Sequence, residues 1–287
     1  MQRRTSRLWT RQRGFALFYL IFGALIVWAG LSIAGDLISS LRFSTVGALA
    51  LPTRAAFLAC GALALLAGLL CLIAPDESGL HPASLGLVAF EIVLVILVWA
   101  SMGRRMDVVG MMTQSVRLAT PIALGAMAGV MCERAGVVNI GIEGMMLMAA
   151  CIGYSAALFL QDIWLGVLAA LVAGALMAAL HALLSIQFMV DQIISGTVIN
   201  ILAVGVTGFI RRAYLLQSPF GAPSVLPIWN VPVLSDIPII GQILFRNQPI
   251  VYAMMAIVLI MHVMLFYTRW GLRTRAVGEH PRAADTL

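Results

Sequence analysis

Residues 133–144 read ERAGVVNIGIEG and lie between GAMAGVM and MMLMAACIGY. Glu133, Arg134, Asn139 and Glu143 thus place two carboxylates, a guanidinium and an amide inside a strongly apolar stretch. Groups of these types could hydrogen-bond a polar solute, line a path for it, or satisfy one another where a helix turns. A charged side chain at the centre of a bilayer costs ~2.5–3.5 kcal/mol on insertion scales, so these must sit near an interface, be paired, or face protein and water. Glu133 and Arg134 are adjacent and would not face each other on a helix. Gly136, Gly141 and Gly144 argue against continuous helix here, and Pro121 lies one span earlier. Interrupted backbone at membrane depth is tolerated where it is buried in protein or lines a cavity, and discontinuous helices often form transporter paths. The competing reading is a tight helical hairpin whose polar groups satisfy each other at the cytoplasmic interface.

Other chemistries are excluded by composition. All 18 basic residues are arginine, so there is no P-loop GK[ST], no Schiff base and no catalytic lysine. His81, His181, His262 and His280 are scattered without HExxH or a neighbouring ligand set, which argues against a metal site. Cys60, Cys71, Cys132 and Cys151 lie in apolar runs with no paired spacing and read as small buried hydrophobes. Glu91, within VAFEIVLVILVW, reads either as a proton or ion relay or as a glutamate bonded to a neighbouring helix or to interfacial water. The 16 methionines read as core filler, and GAMAG at 125–129 fits a small-xxx-small helix contact.

The elements that position these residues are membrane spans. The chain has 287 residues, 62% of them hydrophobic and 10% charged, with a mean hydropathy of +1.01; this is too little polar surface for a water-soluble globule. Apolar runs long enough to cross a bilayer occur at 14–35, 55–74, 85–102, 113–132, 141–160, 163–187, 193–216 and 249–268. The expected fold is all-α, a polytopic membrane protein of about eight transmembrane helices. Arginines crowd the opening MQRRTSRLWTRQR and the residues beyond the last span, which places both termini in the cytoplasm. Arg104 and Arg105, and Asp76 and Glu77 in the 75–84 loop, violate that rule locally. The first apolar stretch reads as a retained span rather than a signal peptide because it is too long for an h-region. No basic, aromatic-interleaved surface for nucleic acid is present.

The run TPIALGAMAGVMCERAGVVNIGIEGMML (120–147) resembles the inner-membrane permease subunits of bacterial ABC importers for simple sugars and nucleosides, in the nucleoside branch that works with basic-membrane-protein lipoproteins. DQIISGTVINILAVGVTGF (191–209) is similar to that branch's next polar helix entry, and RTRAVGEHPRAAD (273–285) to its cytoplasmic coupling segment. The resemblance covers about Met111 to Leu287. It implies a permease core over 106–287, with 1–105 an N-terminal extension of three spans. It also implies that Asn139 and Glu143, with Gln192, Ser195, Thr197 and Asn200, line or shape the substrate path; polar glue between helices is the alternative for each. Arg275, Gly278, Glu279, Pro281, Arg282 and Asp285 would belong to the ATPase-coupling segment, Pro281 opening a short helix with His280 as its N-cap.

The partners so implied are an ABC ATPase subunit that alone uses ATP, a second permease subunit, a periplasmic or lipid-anchored substrate-binding protein, and membrane lipid; no cofactor is implied. The proline-rich 217–248 segment would lie outside, as a docking loop or as a passive one. The chain stops at the coupling segment and shows no second copy of the polar motif, so a fragment or a truncated permease is expected. The rival functions are an ion-coupled secondary transporter using Glu91 and Glu143, and a membrane protein without transport activity.

Overall fold

The computed structural model describes residues 11–43, 47–73 and 80–285. Arg3, Arg4, Arg7, Asp76 and Glu77, on which part of the orientation argument rests, lie outside the described residues. Eight described helices are long and apolar enough to span a membrane, over 13–32, 53–73, 82–100, 108–134, 142–160, 163–187, 192–215 and 249–267, each overlapping an expected span. Their outer faces are apolar: Leu171 and Leu176 are each 66% exposed and Leu259 67%. Water would penalise such surface, whereas lipid accepts it. The molecule is an all-α multi-pass membrane protein with only short strands.

The chain divides into two compact units, Met1–Met112 with Asp236–Ile243, and Thr113–Ser235 with Leu244–Leu287. In the first, α1 (Arg11–Ser32) and α2 (Thr53–Ile73) pack closely along their length, with α3 (Leu80–Ala100) against α2. Glycine makes the approach possible: a Cβ at Gly61 would stand 2.9 Å from the Val27 nitrogen, and one at Gly68 3.1 Å from the Ala16 carbonyl. Small residues let helix backbones meet in lipid, where no hydrophobic drive operates between spans. The connection after α1 is not a plain loop. It forms a hairpin of β1 (Ile38–Arg42) and β2 (Ala48–Pro52), and β1 also pairs in parallel with β3 (Arg105–Asp107). The buried Ser39 hydroxyl is held by Thr53 and the Val98 carbonyl, each at 2.8 Å. Glu91 departs from the expected bond to a neighbouring helix or to interfacial water. It is 2% exposed, and neither of its carboxyl oxygens has a hydrogen-bond partner among the described residues.

The second unit takes up most of α4 (Val108–Arg134), then α5 (Ile142–Leu160), α6 (Ile163–Ala182) and α7 (Gln192–Ile210); a π-helical turn extends α6 over Leu183–Gln187 and α7 over Arg211–Leu215. α6 and α7 start at aspartate N-caps. Asp162 accepts from the Trp164 and Leu165 nitrogens, and Asp191 from those of Ile193 and Ile194, satisfying donors that a helix start leaves free. α5 and α6 run antiparallel at glycine-limited distance: a Cβ at Gly166 would lie 2.6 Å from the Ala157 Cβ and 2.8 Å from the Gly153 carbonyl. On the GAMAG stretch, a Cβ at Gly125 would meet the sulfur of the Met146 side chain of α5 at 3.0 Å.

After α7 the 217–248 segment is tied down. β4 (Trp229–Asn230) pairs with β5 (Arg246–Asn247), and the short α8 (Ile240–Leu244) precedes β5. Asn247, fully buried, takes the Arg117 guanidinium of α4 at 3.2 Å, while the Tyr252 hydroxyl of α9 (Pro249–Tyr267) donates to the Trp229 carbonyl at 2.9 Å. α10 (Arg269–Glu279) and α11 (Pro281–Ala284) close the described chain.

Gly166→Ala is expected to lower stability by about 1–3 kcal/mol through overpacking. Gly205→Ala, whose Cβ would meet nothing within 4 Å, should be neutral or stabilising by up to ~1 kcal/mol. Thermal unfolding of both purified variants in detergent checks this; equal shifts would refute the packing assignment.

Candidate functional site

The break anticipated at 133–144 is a turn between the two spans α4 and α5, the form the hairpin reading gave it, and its two ends are built differently. α4 stops in a Schellman motif: Gly136 adopts φ +81°, its N–H bonds the Glu133 carbonyl at 3.0 Å, and the Val137 N–H bonds the Cys132 carbonyl at 2.9 Å. Glycine is favoured there because a Cβ is strained in the left-handed region. The start of α5 has no side-chain cap of its own, since Gly141 stands at that position. One of its donors, the Gly144 N–H, is met from another helix. Asn200, on α7, accepts from the Gly144 N–H at 2.7 Å and donates to the Ile140 carbonyl at 3.1 Å.

The predicted residues fall into distinct places. Asn139 folds the loop, its Oδ1 accepting from the Gly141 N–H at 3.0 Å and its amide nitrogen lying 3.7 Å from the Cys132 sulfur. Gln192 reaches the same loop from α7, accepting from the Val138 N–H at 2.6 Å. Asn139, Gln192 and Asn200 therefore converge on 135–144, and Glu143 stands exposed in the first turn of α5 beside them, where the helix dipole favours a carboxylate. Ser195 and Thr197 do not join this group. Ser195 is buried and pairs with His181 Nδ1 of α6 at 3.1 Å, whereas the exposed Thr197 hydroxyl donates to the Ile193 carbonyl of its own helix at 2.8 Å. Cys132 and Cys151 are half-buried rather than buried.

Between α5 and α7 runs a groove. Its first cavity, of about 290 Å³, is lined by Glu143, Gly144, Leu147, Asn200, Ile201 and Val204. A second, of about 360 Å³, shares Leu147 and Val204 with it and extends to Tyr154, Thr207 and Arg211. The lining follows helical periodicity: Glu143, Leu147 and Tyr154 on one wall, Asn200, Val204, Thr207 and Arg211 on the other. From the first to the last residue each wall rises about 16 Å, roughly half the hydrocarbon core. The groove is apolar along its length and carries a carboxylate and an amide at one end and a phenol and a guanidinium at the other. Tyr154, Arg211 and His181 were missed in the sequence. Tyr154 and Arg211 each stand eleven residues beyond a named residue, Glu143 and Asn200, and that same-face spacing was the signal available. Among the described residues no three His, Cys, Asp or Glu side chains assemble a metal site.

The residues predicted for a coupling segment lie on α10 and α11, with Asp285 at the C-cap of α11. A Cβ at Gly278 would stand 2.3 Å from the Arg134 carbonyl oxygen, so α10 rests on the end of α4. Arg275 folds over the Phe266 ring, 5.4 Å from its centroid. Glu279, Arg282 and Asp285 are exposed. Pro281 opens α11, and His280 Nδ1 accepts from the Ala283 N–H at 3.1 Å, the cap expected of it. Because α6 returns antiparallel to α5, the 135–141 loop, the α6–α7 elbow and α10 all lie at one end of this unit, the end that holds Glu143 and Asn200.

A family profile described as branched-chain amino acid transport system / permease component matches residues 111–287, well over half of the chain. The chain belongs to this permease family. It is 42% identical over 177 residues to the guanosine ABC transporter permease protein NupQ of Bacillus subtilis, and 38% identical over 180 residues to the nucleoside ABC transporter permease protein NupC of Lactococcus lactis. In each case the match covers 59% of this chain and 56% of the relative. A putative glucose ABC transporter permease protein of Haloferax volcanii, TsgC13, is 34% identical over 179 residues, covering 62% of this chain and 54% of its own length. The chain thus spans about half the length of the curated relatives it matches. No solved structure matches it significantly.

Asn200→Ala removes both bonds to the α5 start and is expected to cost about 1–3 kcal/mol, chiefly for the Gly144 N–H left unpaired. Asn200→Asp, which keeps the acceptor for Gly144, should cost less. Unfolding midpoints of the two variants in detergent rank them, and the reverse order would contradict the cap.

Proposed function

We propose that this chain is a permease component of an ABC importer for nucleosides or related simple sugars, and that it performs no catalysis. A separate ATPase subunit hydrolyses ATP. Residues 106–287 supply the permease core and 1–105 an added three-helix extension. The observation that carries the reading is the α5–α7 groove: a file of same-face residues with hydrogen-bonding groups at its ends and an apolar middle, opening beside the segment that resembles an ATPase-coupling motif. The relatives named for nucleosides and guanosine support the substrate class.

A nucleoside presents hydroxyls, ring nitrogens and an aromatic face. The Glu143 carboxylate accepts from hydroxyls and amines, the Arg211 guanidinium donates to carbonyls and ring nitrogens, and Tyr154 offers a ring for stacking. The apolar stretch between holds nothing tightly, which suits a path that must release what it admits. Asn139, Gln192 and Asn200 shape the wall by fixing the backbone beside Glu143. The end bearing α10 and α11 faces the cytoplasm, where Arg282 and Asp285 are free to meet the ATPase. The anchored Trp229–Asn247 region faces outward to a substrate-binding protein, and a second permease subunit covers the open side of the groove.

Glu143→Ala should reduce uptake of labelled guanosine about tenfold or more, the scale of one lost charged hydrogen bond, while the amount of folded protein in the membrane stays within twofold. Uptake should stop on ATP depletion and persist when an uncoupler is added with ATP maintained. Uptake that tracks the proton gradient instead would replace this reading with secondary transport. A cysteine at Ala284 should crosslink to the co-expressed ATPase; no crosslink in a complex that co-purifies would move the docking surface elsewhere.

A further inference from the structure

The loop at 135–141 is held differently from the other helix connections of its unit. α6 and α7 are capped by their own flanking aspartates, but α5 begins on a loop that, besides the bond Asn139 makes to Gly141, is held from other elements. At one end, Gly136 and Gly278 touch backbone to backbone: a Cβ at Gly136 would stand 3.1 Å from the Gly278 Cα, and one at Gly278 would meet the Arg134 carbonyl at 2.3 Å and the Gly136 nitrogen at 3.0 Å. In the middle, the Val138 N–H is taken by Gln192. At the other end, a Cβ at Gly196 would lie 2.8 Å from the Gly141 nitrogen, and Asn200 clasps both Ile140 and Gly144. Asn200 also lines the groove with Glu143.

These contacts form one continuous series from the α10 surface to the groove wall. Backbone resting on backbone, as at Gly136–Gly278 and Gly141–Gly196, passes displacement on because packed interiors compress little, and the Gln192 and Asn200 hydrogen bonds tie the loop between those contacts to α7. We propose that the 135–141 loop is the coupling lever of the permease, with Gly278 as its input, Gln192 as its fulcrum on α7, and Asn200 as its output at Glu143. Movement of α10 imposed by an ATPase then shifts the first turn of α5 against α7 and changes the width of the groove beside Glu143. Gly278, Gln192 and Asn200 are positioning residues: the ATPase and the solute act through them. This inference rests on the reading of the chain as an ATP-driven permease component.

The test uses the intact permease assembled with its ATPase and binding protein in proteoliposomes, with labelled guanosine uptake and ATP hydrolysis measured on the same preparation. Gln192→Leu, which removes the acceptor for Val138, should lower guanosine moved per ATP hydrolysed about tenfold while hydrolysis continues. Gln192→Glu retains that acceptor and should restore the ratio to within about twofold. Gly278→Ala should lower the ratio similarly in complexes that still contain the ATPase. The double variant Gln192→Leu/Gly278→Ala should be no worse than the poorer single one, because both break the same series. A ratio unchanged in Gln192→Leu and Gly278→Ala, with uptake and hydrolysis falling together, overturns the lever. So does a double variant whose losses multiply. A wild-type assembly that hydrolyses ATP without moving guanosine, ribose or glucose would instead reject the proposed function.

Discussion

A turn between two spans leaves backbone groups free at both helix ends, and these must find partners; the second unit depends on how that is solved between α4 and α5. Here protein takes several of the N–H and C=O groups that the two helix ends leave over. The α4 end satisfies itself through the Schellman turn at Gly136. The α5 start is satisfied by Asn200 and the loop by Gln192, both from α7. Two helices that share no connection are thereby fixed in register, and the groove between them is a consequence. Glu143 follows from the same constraint, since a first-turn carboxylate is favoured by the helix dipole.

Small residues do the rest of the positioning. With no hydrophobic drive between spans, close approach must supply the packing energy, and glycines set it at the α1–α2, α5–α6 and α5–α7 contacts. At Gly136, φ +81° adds a conformational demand. At Gly196 and Gly278 the demand is spatial, since added carbons would strike backbone. Backbone contact of this kind leaves little play, which is why the loop both holds the site and is suited to transmit movement into it.

The spans and the break at 133–144 were legible because both are one-dimensional: apolar run length marks a span, and clustered glycines among charges mark an interruption. His280 and Pro281 were legible as a cap and a first helical residue because capping is local. Partner choice was not. Nothing in Gln192 or Asn200 says that their oxygens will take backbone N–H groups more than fifty residues away, nor does Ser195 announce His181 as its partner. The β1–β2 hairpin was hidden because neither ISSLR nor ALALP alternates polar and apolar residues as a half-buried strand does, and its pairing is set by contacts between segments. Glu91 resisted in the opposite sense: a partner or interfacial water was expected, and its buried carboxyl group has no hydrogen bond among the described residues.

Thiol accessibility along the two helices tests most directly whether the α5–α7 groove is a water-filled path. In a cysteine-replaced background assembled in membranes, single cysteines at Glu143, Leu147, Tyr154 and Val204 should react with a small polar thiol reagent and be slowed by guanosine, whereas one at Leu176 on the lipid face of α6 should stay unreactive. Equal unreactivity at Leu147, Val204 and Leu176 would show that the groove is filled by lipid or by another helix, and would contradict the path.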